Sequence, residues 1–582
     1  MLWGGLKPIR TRFVLDMITL TALVYSVQLR TSSHAVQHTS ILALSCLLTM
    51  VTAGITKRWT ISLFLGPVVA LQLSRYYWTE TEPGSGIGIG WAAVAVKIVS
   101  FTLLAISFLL TILFPAVRID HVEGKYKVGV IDLHIPVDHD DHDRVSVRLF
   151  YPAQQQKSGH GRNGDLYRMP YFNVDTADKV CKALMTTSAP PPLNKLNFML
   201  DQWKLSTICA KRNAAPFVPK NDKEGGKNLS ASTNANANAV NTEEKDFGEE
   251  KKDDDSDKEK SRSRSSGLPI IVYSHGITGS AEVYSYQAMS LAADGSLVMS
   301  ITHSDGSSIG MKRHDGSFLD FDKTGRELAE KEGYAESVRH RRKQLEYRAA
   351  EFVASTQALF KLNQMNIPEL EKMGISFVGK LNINDCIAAG HSFGAATALA
   401  ACHRNTELFT ACVAHDPAFD WCPDDCRKAL LSDDRLKDSR LTYKGGTGGY
   451  ENVGNAQGNN SNIATMASSS TSTSIHDLDL MFLYSGQWKD YGWGEYRLFQ
   501  DLFKRGLLGR PHGPTDFGFV YNANHSEFSD SCMKIPLWLA RPVKMTGPRN
   551  PHETAEEIYS RTATFIAEVR QQQPQSSREK VE

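Results

Sequence analysis

Residues 385–402 read DCIAAGHSFGAATALAAC. An apolar run, a serine held between two glycines and an alanine-rich run follow one another. A strand that ends in a sharp turn and feeds a closely packed helix reads this way, with Ser392 at the turn. Any single Gly-x-Ser-x-Gly occurs by chance, so the reading rests on what surrounds it.

A serine hydroxyl is a poor nucleophile until a histidine accepts its proton and a carboxylate orients that histidine. The developing oxyanion also needs fixed backbone N–H donors. In a fold that uses such an elbow the chain order is serine, acid, histidine. The strand-like FTACVA runs into His415-Asp416, and FGFVYNAN runs into His525. Asp416 and His525 therefore stand at the carboxyl ends of expected strands, where open α/β sheets bind their ligands. Asp420 is the alternative acid and His512 the alternative base, both further from a strand end. His391 adjoins Ser392 and so points elsewhere, as a structural residue. The turn YSHGIT follows the strand PIIV and offers the N–H of Ile277, while the residue after the nucleophile offers that of Phe393.

Around these motifs, short β-rich runs alternate with helical patterns. Residues 126–137 and 144–153 form an expected hairpin, and DHDDHD between them reads as a polar turn rather than a metal site. Strand–helix alternation follows, with a long charged helix over 336–362 and a closing amphipathic helix over 552–571. This order predicts an open, mostly parallel α/β sheet with flanking helices. Residues 219–266 and 444–474 are polar or charge-dense with almost nothing to bury, and read as disordered insertions. The hydrolase-like domain is thus expected in three pieces, 119–218, 267–443 and 475–571, with 572–582 a polar tail.

Lys+Arg 65 against Asp+Glu 64 leaves a formal charge of +1, which gives no reason to expect a nucleic-acid partner. The nine cysteines are scattered, and Cys422-x3-Cys426 alone is poor zinc spacing. No cofactor and no metal are expected. Residues 1–118 differ in kind: apolar stretches cover 13–29, 41–55, 59–73 and 91–117, and Ile98–Val117 is twenty residues without a charge. That length spans a bilayer as a helix. The expectation is an all-α transmembrane region of four spans, embedding the protein in a membrane. Lys7, Arg10, Arg12, Lys57, Arg58 and Arg118 fall on one side of such a bundle and only Arg30 and Arg75 on the other, which predicts a cytoplasmic catalytic domain. Sequons stand at Asn228, Asn459 and Asn524.

The same residues resemble the plasma-type platelet-activating factor acetylhydrolases. YKVGVIDLHI and VRLFYPA resemble that family's opening hairpin, IVYSHGITGSAEVYS its oxyanion strand and ITHSDGSS the strand after it. RRKQLEYRAAEF, AGHSFGAATA, VAHDPAF and NHSEFSD are similar to its helix before the elbow, its elbow, its acid strand and its histidine loop. The resemblance covers about residues 120–540; Ala395 and Pro417-Ala418 depart from the pattern. It implies a calcium-independent α/β-hydrolase that removes short or oxidised sn-2 acyl groups from phospholipids. Ser392 would be the nucleophile, Asp416 the acid, His525 the base, and Ile277 with Phe393 the oxyanion donors. The stripe Leu196, Met199, Leu200 and Trp203 suits either a membrane interface or a core-facing helix. An esterase for neutral lipids or small esters, and a catalytically silent membrane scaffold, are the alternatives.

Overall fold

The computed structural model describes residues 7–8, scattered positions between 94 and 109, and residues 117–137, 144–153, 168–188, 201–218, 267–431 and 475–572 except 536 and 543. The DHDDHD turn, both polar stretches, the first three apolar stretches, and Leu196, Met199 and Leu200 lie outside the described residues.

Nine strands form the central sheet: β1 (Lys127–Pro136), β2 (Arg144–Ala153), β3 (Lys211–Arg212), β4 (Leu268–Ser274), β5 (Leu297–Thr302), β6 (Leu381–His391), β7 (Ala411–His415), β8 (Asp479–Ser485) and β9 (Thr515–Val520). Their order across the sheet is β9-β8-β7-β6-β4-β5-β2-β1-β3. From β5 to β9 every neighbouring pair is parallel, and β2 joins β5 and β1 antiparallel. This is the mostly parallel sheet the sequence predicts, in the α/β-hydrolase arrangement. Lys211–Arg212 at the edge is too short to show periodicity, so the sequence gives no sign of β3.

Parallel strands are covered on both faces and therefore read as continuous apolar runs. In β4, Leu268, Ile270 and Val272 enter one core while Ile271 and Tyr273 enter the other. The first core is closed by α2 (Tyr334–Leu362), through Leu345, Phe352 and Leu359, and by α3 (Phe393–Arg404), through Ala396 and Leu399. The second is closed by α1 (Ser285–Ala293) and α5 (Pro551–Gln572), with Tyr286, Met289, Ile558 and Phe565 among its members.

A second, small sheet runs Lys7–Pro8, Val117–Ile119, Thr207–Ile208, Met169–Pro170. Lys7 pairs with Arg118, so the chain leaves and re-enters the described structure at one place. Among the described residues no helix is long and apolar enough to cross a membrane, and the structure gives no support to an all-α transmembrane region. Of the fourth apolar stretch the structure describes helical turns between Val94 and Leu109, where Val94, Ile98, Val99, Ile106 and Leu109 are exposed, and Val117, which is buried in a strand of the small sheet rather than in a helix.

The elbow is the tightest point of this framework. A Cβ on Gly394 would collide with the carbonyl oxygen of Ser274 at the end of β4, and one on Gly390 with the carbonyl oxygen of Gly394. Neither backbone can retreat without opening the sheet. Gly394→Ala is expected to cost at least about 3 kcal/mol of stability, measured by denaturant unfolding; a loss within experimental error would show that the elbow has slack.

Candidate active site

Ser392 ends β6 and caps α3 with φ 58° and ψ −119°, left-handed backbone that L residues adopt only under constraint. Four backbone bonds hold it there. Its N–H donates to His415 O (2.8 Å), and its own carbonyl accepts from Ala395 (3.1 Å), Ala396 (3.2 Å) and Ala418 (3.1 Å). Asp416, one residue past β7, also has positive φ (42°), and its N–H donates to Leu483 O in β8 (2.9 Å). His525 follows β9 in a turn closed by a reciprocal pair between Asn524 and Glu527. Its N–H donates to Gln487 Oε1 at 2.9 Å.

These three side chains meet. The Ser392 hydroxyl lies 2.9 Å from His525 Nε2, and His525 Nδ1 lies 2.9 Å from Asp416 Oδ2. Asp416 is fully buried, and its second oxygen accepts the Ser485 N–H at 2.6 Å. Nδ1–H therefore faces the carboxylate and Nε2 is left to accept the hydroxyl proton, the tautomer that proton abstraction needs. Asp420 is not part of this set: it is hydrogen-bonded to Glu495, whose carboxyl is pushed up to about 8 by burial and by Asp420. His512 is exposed in the turn before β9.

The oxyanion side is built by a network the sequence reading did not include. Gly276 lies against the nucleophile, where an added Cβ would stand 3.2 Å from that of Ser392. As the first residue of α3, Phe393 has an N–H with no intrahelical acceptor, and neither it nor the Ile277 N–H has a backbone acceptor among the described residues. The loop carrying Ile277 is fixed from both sides. Tyr284 OH accepts the Gly276 N–H (2.9 Å) and donates to His391 Nδ1 (2.9 Å). Buried Arg348, in α2, donates to His275 O (2.5 Å), Ser274 Oγ (2.8 Å) and Ser307 Oγ (2.8 Å). Glu351, one helical turn on, accepts from His303 Nδ1 at 2.5 Å, and His303 Nε2 accepts from Ser274 Oγ at 2.8 Å. Burial brings the Arg348 guanidinium down to about 10, against the pull of Asp305 and Glu351. The i, i+3 spacing of Arg348 and Glu351 on a charged helix was the available signal, but nothing in it says that this face turns inward.

His391 packs against the base: its ring lies 4.5 Å from that of His525 and stacks on Phe528. His391, Asp416 and His525 bring ligand-capable atoms within 4.8 Å of one another. Both His525 nitrogens and His391 Nδ1 are already engaged with protein partners, so the set fits proton transfer better than metal ligation.

Burial, above all, holds the imidazoles of His275, His303 and His391 well below the usual histidine range and that of His415 down to about 3. In the unfolded chain each takes a proton near pH 6.5 while the folded chain refuses it. Unfolding then binds protons, so stability is full above about pH 6.5 and falls as pH drops below it. The four together are expected to steepen that fall by about 5 kcal/mol per pH unit. Thermal midpoints measured from about pH 7 to 5 check this; a flat profile there would contradict four neutral buried imidazoles.

Residues 195–422 match the family model described as platelet-activating factor acetylhydrolase, isoform II, a span that holds Ile277, Ser392, Phe393 and Asp416 and stops before His525. No curated protein matches the chain. Among solved structures, a ferulic acid esterase from Streptomyces cinnamoneus is 13% identical, covering 79% of this chain and 97% of its own at a TM-score of 0.39. A dienelactone hydrolase from Anabaena variabilis is 12% identical over 50% of this chain and 85% of its own, at 0.26. An S-formylglutathione hydrolase from Agrobacterium tumefaciens is 10% identical over 52% and 85%, at 0.25. Likenesses this distant carry no argument about the site. The matched family model and the hydrolase sheet that bears it identify the chain as a carboxylic ester hydrolase that resembles the platelet-activating factor acetylhydrolases.

Proposed function

We propose that this chain is a membrane-anchored, calcium-independent serine esterase that hydrolyses short or oxidised sn-2 acyl groups of phospholipids. The observation that carries the reading is the continuous relay Ser392–His525–Asp416, at 2.9 Å and 2.9 Å, beside two unclaimed backbone N–H groups. In the acylation step Ser392 Oγ bonds to the acyl carbonyl carbon while its proton passes to His525 Nε2. Negative charge moves to the carbonyl oxygen, which the N–H groups of Ile277 and Phe393 receive. Asp416 stays ionised and stabilises the imidazolium. Collapse breaks the carbon–oxygen bond, and the lysophospholipid alkoxide leaves with the proton from His525. Water, deprotonated by the same histidine, then releases the acid and regenerates Ser392.

The phospholipid assignment draws on the family match over 195–422. Membrane anchoring draws on the four apolar stretches and on the exposed Val94, Ile98, Val99, Ile106 and Leu109. The Lys7–Arg118 pair supports an even number of crossings, because both ends of the apolar region meet in one ladder. An even number keeps the amino terminus and the hydrolase domain on the same side, and the excess of basic residues makes that side cytoplasmic. Asn524 supports the same side: its amide donates to Lys544 O at 3.0 Å, next to His525, where a glycan would break the contact.

Ser392→Ala and His525→Ala are each expected to lower turnover of a short sn-2 phosphatidylcholine by about 10⁴-fold or more, and Asp416→Asn by about a thousandfold. Fluorophosphonate labelling should vanish with Ser392→Ala; folded wild-type protein that never labels would favour the silent scaffold. Faster hydrolysis of neutral or small esters than of any phospholipid would move the substrate class to the alternative. Topology has its own test. Protease added outside intact microsomes should cleave within residues 219–266; protection of that stretch, together with a glycan on Asn228 or Asn459, would put the enzyme in the lumen.

A further inference from the structure

Trp488 is a residue that neither the elbow nor the triad motifs single out, yet its indole lies flat on the His525 imidazole. The ring centroids are 4.3 Å apart and the planes differ by 9°. Trp488 belongs to α4 (Gly486–Tyr491), which starts where β8 ends. Its backbone N–H donates to Ser485 Oγ (3.1 Å), and the Ser485 N–H donates to Asp416 Oδ1. Gln487, between them, holds the His525 N–H. One turn of chain thus fixes the acid, the base and the indole against one another. Trp493 packs edge-on to Trp488 at 6.0 Å and closes it from behind, leaving it 9% exposed.

The other groups around His525 come from three elements. Asp416 reaches it from the end of β7, Ser392 from the elbow, and the neutral His391 ring from β6. Lys489, the nearest cation on α4, sits over the Phe519 ring at 4.2 Å and pairs with Asp490. The described charge facing the imidazole is therefore the Asp416 carboxylate, and the described π face is Trp488.

An aromatic face carries negative potential, and indole carries most. Neutral imidazole feels it weakly; imidazolium feels it strongly. We propose that Trp488 is a positioning residue that acts through His525, stabilising the imidazolium formed when His525 takes the Ser392 proton. The inference rests on the triad reading above. It explains why a large, flat residue, anchored through its backbone N–H to Ser485, stands at a place where any apolar side chain would fill space.

Electrostatic support and mere packing give different pH signatures. If Trp488 stabilises imidazolium, weakening its π face makes His525 less basic. The plateau of kcat/KM then falls, while the acidic limb of the profile moves to lower pH, because the base stays neutral further down. Lost packing lowers the rate without that opposite movement.

The test replaces Trp488 alone with tryptophans carrying one to four fluorines, isosteres with progressively weaker π faces, and compares Trp488→Phe and Trp488→Leu. Hydrolysis of p-nitrophenyl acetate is followed from about pH 5 to 9. The expected result is a stepwise fall in plateau kcat/KM reaching about 3- to 10-fold. The acidic limb should move down by about half to one pH unit over the same series. KM should scarcely change. A flat fluorinated series, or rates that fall with an unmoved acidic limb, overturns the role of Trp488. Failure of the triad itself is a separate result: wild-type protein that does not label with fluorophosphonate overturns both readings, whereas a labelled enzyme with a flat series overturns this one alone.

Discussion

The close crossing of two backbones at the elbow governs the rest of the structure. Strand β6 must turn into α3 within one residue, and that residue, Ser392, takes a left-handed conformation to do it. The turn fits only because Gly390 and Gly394 have no Cβ to meet the backbone opposite. What constrains Ser392 also presents it: the side chain projects from the corner, and the first N–H of α3 stays free of intrahelical bonding. Ser392 is pinned through its backbone to His415 and Ala418, so the nucleophile and the acid loop are parts of one hydrogen-bonded unit. Displacing either moves both.

Around that unit the protein buries an unusual amount of polarity. Arg348, Glu351, His303, Ser274 and His275 form a chain of hydrogen bonds in the interior beneath the Ile277 loop. Burying such groups is costly unless each is satisfied, and a satisfied network is rigid. Rigidity is what an oxyanion site requires, since donors that reorganise during reaction give back much of their stabilisation. Arg348 also lies 4.6 Å from the Phe393 ring, so one guanidinium braces both sources of N–H donors. The same interior keeps four imidazoles neutral, which ties the stability of the site to pH.

The sequence showed the elbow, the order of Ser392, Asp416 and His525, and the strands that carry them, because each signal is local. A buried parallel strand is an apolar run, and its catalytic residue is the first polar letter after it. Lys211–Arg212 and the Lys7–Pro8 pair escaped notice because two residues cannot show a period. The polar network escaped for another reason: Glu351 and His303 lie 48 residues apart, and their meeting is decided by how α2 lies across the sheet. Trp488 carries no local signal among the aromatics of GQWKDYGWGEY, and only the register of β8 beside β7 brings it onto His525.

The chain's irregular composition now has a geometric explanation. The polar stretch 219–266 leads into β4 at Leu268, and 444–474 leads towards β8 at Asp479. Both are the amino-terminal ends of parallel strands. Ser392, Asp416, His525 and Ile277 all follow the carboxyl ends of strands, at the opposite edge of the sheet. A strand of seven residues spans about 20 Å, so each polar stretch joins the domain roughly that far from the reacting atoms. Chain can be added at that edge at little entropic cost, which grows only slowly with loop length. The same addition at the other edge would stand in the path of the substrate. A fold that keeps its chemistry at one edge of a parallel sheet can therefore accept added sequence at the other without disturbing the register of β6, β7 and β9.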